Sequence, residues 1–231
     1  MLSHLCITRD LTFSFNNVLR HEERRWVFNA NGLSRLAAES VDCSHDDIVS
    51  FEKLPEGGYN RTFLIMRDDF QLVARIAYPV TVPKSYAVAS EGVTMDFLPS
   101  FGLPIPDVYG CSPTSDNVAE TGYIFMEFAD GTKLNDIWFD PGEREIEPVV
   151  CQLVQLEAKM ISEFFSADGN LYYAQSLERA VGKPGIPLKD ERFCIGSDVI
   201  LPLWHGRRSL LDVDRGPRAS LSAFLFVTPL D

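Results

Sequence analysis

The chain has 231 residues, 45% of them apolar and 23% charged, with 15 glycines, 14 prolines and a formal charge of −12. These are globular values and exclude a disordered, collagen-like or bare coiled-coil chain. The acidic balance argues against gripping nucleic acid or an anionic membrane as the main task, so a phosphate-bearing ligand needs a local site. No run of about 18 uncharged apolar residues offers a transmembrane helix. Five widely spaced cysteines (Cys6, Cys43, Cys111, Cys151 and Cys194) with no Cys-x-x-Cys pattern argue against a disulfide scaffold or a zinc site. The first twenty residues carry Arg9 and Arg20 against Asp10, a faint mitochondrial-presequence pattern that an N-terminal extension explains equally well.

Along the chain, Leu33, Leu36, Ala37 and Val41 share one face of a helix expected over 32–41. Residues 48–66 read as strand, glycine turn, strand, with Pro55-Glu56-Gly57-Gly58 as the turn. Asp68-Asp69 turns the chain into a third strand, Gln71 to Ala77. A helix follows over 85–98, Val108-Tyr109 begins another strand, and 122–128 (GYIFMEF) is a strongly apolar strand. Residues 145–165 place Ile146, Val149, Val150, Leu153, Leu156, Met160, Ile161 and Phe164 along one helical stripe. Beyond Asp168-Gly169 the chain is loop-rich, with Gly182, Pro184, Gly185 and Pro187. The order predicts an α+β fold of two lobes, an antiparallel sheet with one inserted helix and then a helical part, with the boundary at 129–132.

Four features could carry chemistry. Gly57-Gly58-Tyr59-Asn60 between two strands can bring backbone N–H groups close to a phosphate, although taken alone the motif is more often a plain hairpin with a Gly-Gly turn. It is not a Walker loop, because no Gly-Lys-Ser/Thr and no helix follow. Arg75 stands alone among Val73, Ala74 and Ile76, so it either lies on a solvent face or pairs. Glu91 on the next helix can supply the partner. The strand ending at Met126, Glu127 and Phe128 falls where a lobe hinge would present backbone to an adenine edge, or else is a buried central strand. Glycine loop, basic third strand and helix acid, in that order, form the phosphate-holding part of protein-kinase-like folds. Arg for the usual Lys gives a permanent charge and a planar fork.

The stretches EKLPEGGYNRTFLI, VARIAYP, ASEGVTMDFL, GLPIPDVYG and YIFMEFADGTKLNDIW resemble the fungal aminoglycoside-phosphotransferase-like family, which includes mitochondrial proteins. LVQLEAKMISEFFSADGNLYY, FCIG and LDVDRGP resemble it too, so the resemblance runs from about Phe28 to Arg218. It implies ATP-dependent phosphoryl transfer to a small-molecule hydroxyl. It makes Gly57, Gly58 and Asn60 the phosphate loop, Arg75 the phosphate cation, Glu91 its partner, and Met126, Glu127 and Phe128 the adenine hinge. Arg in this strand is usual in the family. Gly92 after Glu91 weakens the helix slightly.

Phosphoryl transfer also needs an Asp at the acceptor hydroxyl, a downstream Asn and a magnesium-binding Asp. His45-Asp46-Asp47 precedes the glycine loop and is expected to be a turn or cap. His205-Gly206-Arg207 has Arg where the acid is needed. Asp212 and Asp214 are expected in a structural salt bridge with Arg215 or Arg208. No Asn follows Asp198. No catalytic residue and no metal ligand is therefore assigned, and Mg2+ is implied by the family alone. Four segments are expected: an extension (1–27), a kinase-like N-lobe with hinge (28–131), an incomplete helical C-lobe (132–218) and an atypical apolar tail (219–231). The expected chain is C-terminally truncated and catalytically inactive, an ATP- or partner-binding fragment that self-associates through its exposed C-lobe helix, in mitochondria or else in the cytoplasm.

Overall fold

The structure, a computed structural model, describes residues 22, 24–55, 58–79, 81–134, 138, 143–162, 165–181 and 185–219. The predicted extension apart from 22 and 24–27, Gly57, Phe164, Gly182, Pro184 and residues 220–231 lie outside the described residues.

Helix α1, Ala30–Ser40, begins where Asn29 accepts a hydrogen bond from Gly32 N–H through its side chain. Three strands follow: β1 (Ser50–Lys53), β2 (Asn60–Arg67) and β3 (Phe70–Ala77). Helix α2 spans Lys84–Phe97, and β4 (Val108–Ser112) and β5 (Tyr123–Glu127) complete one antiparallel sheet of order β1-β2-β3-β5-β4. The chain thus returns β5 between β3 and β4, and β3 is paired on both edges. Five antiparallel strands with one helix inserted after the third are the arrangement the sequence predicts for the first lobe.

Side-chain alternation splits this sheet into two apolar faces. Phe63 and Ile65 of β2, Leu72, Ala74 and Ile76 of β3, and Phe125 of β5 pack on Leu33 and Ala37 of α1. On the opposite face, Ala77, Ile124 and Met126, with Val73 and Val108, meet Val88 of α2. Arg75 shares the parity of Val73 and Ala77, so the pleat sends it toward α2.

Two close approaches explain glycines that local propensity disfavours. In α1, a Cβ at Gly32 would lie 2.0 Å from Val118 O, and the loop before β5 crosses the helix there. In α2, a Cβ at Gly92 would lie 2.7 Å from Cys111 Sγ, so this glycine lets β4 press against the helix. The helix penalty expected from Gly92 is the cost of that contact. Thr121, fully buried, accepts hydrogen bonds from Trp26 Nε1 (3.2 Å) and Lys84 Nζ (3.4 Å), which ties residues before α1 to the first turn of α2. Lys84 also lies 4.2 Å from the Trp26 ring centroid, and its burial pushes its pKa down.

Past the sheet, helix α3 (Glu143–Ser162) is followed by structure that the loop-rich composition did not foretell. β6 (Ala167–Asp168), β7 (Asn170–Tyr173), helix α4 (Ala174–Val181), β8 (Ile186–Pro187), β9 (Phe193–Gly196) and β10 (Arg218–Ala219) form a three-stranded sheet, β7-β9-β8, and a β6–β10 pair. FCIG, four buried residues, is the middle strand β9. This small sheet packs on α2 from the side away from the large one. Phe193 joins Val93 and Phe97, while Tyr172, Leu177 and Cys194 gather Tyr86 and Ala89.

Along α3, Val150, Leu153, Val154, Met160 and Ile161 are exposed, Ile161 at 82%. Lys159 Nζ donates to Gly102 O at 2.9 Å and ties the helix to the loop after α2.

Gly92→Ala is expected to lower stability by about 1 kcal/mol, because overpacking against Cys111 outweighs the helix-propensity gain. In a Cys111→Ala background the same change should stabilise by about 0.5–1 kcal/mol. Urea unfolding of the four proteins checks both signs.

Candidate functional site

The strand order puts Arg75 at the middle of the sheet, opposite Thr62 of β2 on one side and Ile124 of β5 on the other. Its guanidinium Nη1 donates to Glu91 Oε1 of α2, and the two groups form an ion pair. Both side chains are about one-third open, 32% for Arg75 and 36% for Glu91. The pair thus lies at the rim between sheet and helix, accessible to an anion yet backed by an apolar face. An Arg held by one carboxylate oxygen keeps further N–H donors for a phosphate oxygen.

Cys111 is exposed as a residue, but its sulfur is turned against α2, 3.8 Å from Val88 O. Burial of that sulfur, with the Glu91 carboxylate nearby, pushes the thiol up to about 12. It stays protonated at neutral pH and is no nucleophile.

The other predicted site residues are placed as follows. Gly58 is exposed in the β1–β2 connection, and a Cβ there would meet nothing within 4 Å. Asn60 opens β2 opposite Ala77, two residues along β3 from Arg75. Gly58, two residues before Asn60, therefore sits near the Arg75–Ala77 end of the sheet. Met126 is buried and paired with both Val73 and Val108 inside the sheet. The Glu127 N–H donates to Asp107 O at 2.8 Å, and the Glu127 carboxylate accepts from Asp107 N at 3.3 Å. Of the predicted hinge, then, the Glu127 N–H is already committed to the neighbouring segment, and Phe128 is the first residue past the ladder.

The residues set aside as catalytic candidates fall in a capped turn, an exposed turn and an ion pair. Ser44 caps the turn His45–Asp47: its hydroxyl accepts from Asp46 N, and its own N–H donates to Asp47 Oδ2. His205-Gly206-Arg207 is an exposed turn. Asp214 is in a salt bridge as expected, but with Arg218 at 2.8 Å. Arg215 instead stacks over Trp204, 4.1 Å from the ring centroid, and donates to Arg208 O and Leu203 O. Among the described residues no group of three or more His, Cys, Asp or Glu side chains could hold a metal ion, and no helix is long and apolar enough to cross a membrane.

Sequence reasoning missed Ser90 and Asn170. Ser90, next to Glu91 and only 3% exposed, accepts a hydrogen bond from Asn170 Nδ2 at 3.0 Å. No periodicity marks a pair 80 residues apart.

No family model matches the chain. Over 179 residues it is 37% identical to a subtelomeric hrmA-associated cluster protein of Aspergillus fumigatus, covering 76% of this chain and 34% of that protein. It is 29% identical to altered inheritance of mitochondria protein 9, mitochondrial, of Clavispora lusitaniae over 157 residues, which is 63% of this chain and 25% of that protein. The protein of the same name from Kluyveromyces lactis is 29% identical over 203 residues, 80% of this chain and 32% of that one. The chain spans about a third of the length of the curated relatives it matches. Among solved structures it is similar to one from Ralstonia eutropha named as an aminoglycoside phosphotransferase, at 20% identity and TM-score 0.34, covering 46% of this chain and 29% of that one. The resemblance carried by the motifs thus extends to curated fungal proteins, several with mitochondrial names.

Arg75 and Glu91 are too exposed for their pairing to support the fold by much. A double-mutant cycle of Arg75→Ala and Glu91→Ala in thermal unfolding should give a coupling of about 1 kcal/mol or less that shrinks with added salt.

Proposed function

We propose that the chain binds ATP through its kinase-like N-lobe and does not by itself transfer the γ-phosphoryl group. One observation carries the reading: the Arg75–Glu91 ion pair, made between the central strand and the helix packed on it. Arg75 is the phosphate cation and Glu91 holds it in place. The turn that carries Gly58 and Asn60 lies over the phosphates, and the segment Met126–Phe128 meets the adenine edge.

The residues fit the phosphate end of the nucleotide best. Arg75 is partly open and carries a permanent charge, and the glycine turn leads into β2 at the neighbouring position Asn60. At the adenine end the Glu127 N–H is already used, so backbone from Phe128 onward has to supply the donor.

The resemblance implies a small-molecule kinase acting on a hydroxyl acceptor, with Mg2+ as the metal. Within these 231 residues no His-x-Asp followed by an Asn comes after the predicted hinge, and among the described residues none of the later acids is grouped for a metal. Nucleotide binding without turnover follows, with little dependence on Mg2+. The mitochondrial names among the relatives support a mitochondrial location.

The exposed apolar residues of α3 favour a second property, self-association of the isolated chain through that helix. In size-exclusion chromatography the chain is expected to elute larger than a monomer, and Leu153→Glu with Val154→Glu should restore monomer size. A wild-type monomer would refute this.

Calorimetric titration of ATP should show binding of similar affinity with and without Mg2+, about tenfold weaker or worse in Arg75→Ala. ATP turnover that disappears in Arg75→Ala would overturn the non-catalytic reading, and unchanged affinity in Arg75→Ala would overturn the assignment of the site.

A further inference from the structure

We infer that Asn170 is a positioning residue for Glu91, and that the small sheet β7-β9-β8 is the device that sets the rotation of α2 and so aims Glu91 at Arg75. The inference rests on the nucleotide reading above and extends it to residues outside the lobe.

Helix α2 is held from two sides in different ways. Toward the large sheet most of its contacts are apolar or steric, Val88 on Ala77, Ile124 and Met126 and Gly92 against Cys111, with Lys84 Nζ donating to Thr121 Oγ1 at its first turn and Cys111 Sγ donating to Val88 O. Apolar and steric contacts fix the distance between helix and sheet but tolerate small rotations of the helix about its axis. Rotation is what matters for Glu91, because its carboxylate must meet a single guanidinium.

The small sheet adds directional contacts that are spread along the helix to its last turn. Tyr86 in the first turn sits edge-on to Tyr172, with ring centroids 6.3 Å apart at 89°. Ser90 in the middle bonds Asn170. Asp96 in the last turn accepts from Tyr173 Oη at 2.8 Å, and Phe97 packs on Phe193 at 5.0 Å.

Asn170 is the member whose partner, Ser90, adjoins Glu91 in sequence, and its amide is bonded at both ends. Its Oδ1 accepts from Val199 N at 3.0 Å, a group that can only donate, so its Nδ2 must be the atom facing Ser90. Its backbone is fixed opposite Gly196 in the β7–β9 ladder. One amide therefore joins α2, β7 and the segment at Val199, one residue from Glu91. Ser90 is buried, so losing Asn170 leaves its hydroxyl without that donor, and α2 can lower this cost by rotating. A buried polar clip adds little net stability over apolar packing but specifies one orientation.

The test is ATP titration of the full chain as wild type, Asn170→Ala, Tyr173→Phe and Arg75→Ala, with each of the first two changes also made in the Arg75→Ala background. Tyr173→Phe removes only a hydroxyl from an exposed residue and keeps its ring stacked on Phe193, so it carries the test if Asn170→Ala fails to fold. Both changes should weaken ATP binding about three- to tenfold in wild type and leave it unaltered once Arg75 is gone. A general loosening of the fold would weaken binding equally in both backgrounds, and that result, or no weakening in either, overturns the inference. Unchanged ATP affinity in Arg75→Ala alone overturns the nucleotide reading and this inference with it, which separates the two failures.

Discussion

The contact between the Arg75 guanidinium and the Glu91 carboxylate joins the central strand of the sheet to α2, and the requirements of that contact account for much of the surrounding architecture. Strand β3 must lie inside the sheet, which the return of β5 beside it achieves. Position 75 must face the helix, which strand parity decides. The helix must come close, which the missing side chain at Gly92 permits. The pair itself contributes little to stability, because ion pairs this exposed are worth about 1 kcal/mol or less. Burial of Phe63, Ile65, Leu72 and Phe125 under α1 is worth several times that, at about 1.5–3 kcal/mol per large apolar side chain. The fold holds the ion pair in place; the ion pair does not hold the fold.

Much of this was legible in the sequence. The strands at 60–67 and 70–77, the helix at 84–97 and the apolar strand at 123–127 follow from period-two and helical patterning, and their order gives the lobe. The pairing of Arg75 with Glu91 was one of two open readings for a lone cation among apolar neighbours, and having both faces of the sheet covered decided it. What the sequence hid has physical reasons. Strand β9 is four residues long and buried throughout, so it has no alternation to read. Gly92 looked like a defect in a helix because its reason, Cys111, lies on another strand. Asp214 was expected to pair with Arg215 or Arg208; it forms a salt bridge with Arg218, four residues on, while Arg215 lies over the Trp204 ring. The Asn170–Ser90 bond joins residues 80 apart and leaves no local trace.

The small sheet changes how the second half of the described chain is understood. Its residues meet α2 through Tyr172, Tyr173 and Phe193 and so pack on the helix that carries Glu91. Helix α3, by contrast, carries an apolar stripe with five exposed residues and touches the loop after α2 through Lys159. One element has its apolar surface covered within the chain, and the other presents it outward, although both follow β5 in sequence.

The central claim is that Arg75, held by Glu91, reads phosphate charge. The most direct measurement is the affinity of AMP, ADP and ATP for the full chain and for Arg75→Ala at fixed ionic strength. The account predicts affinity that climbs with each added phosphate in the wild type and a much flatter series in the variant. Parallel series in the two proteins, with the same gain per phosphate, would contradict it.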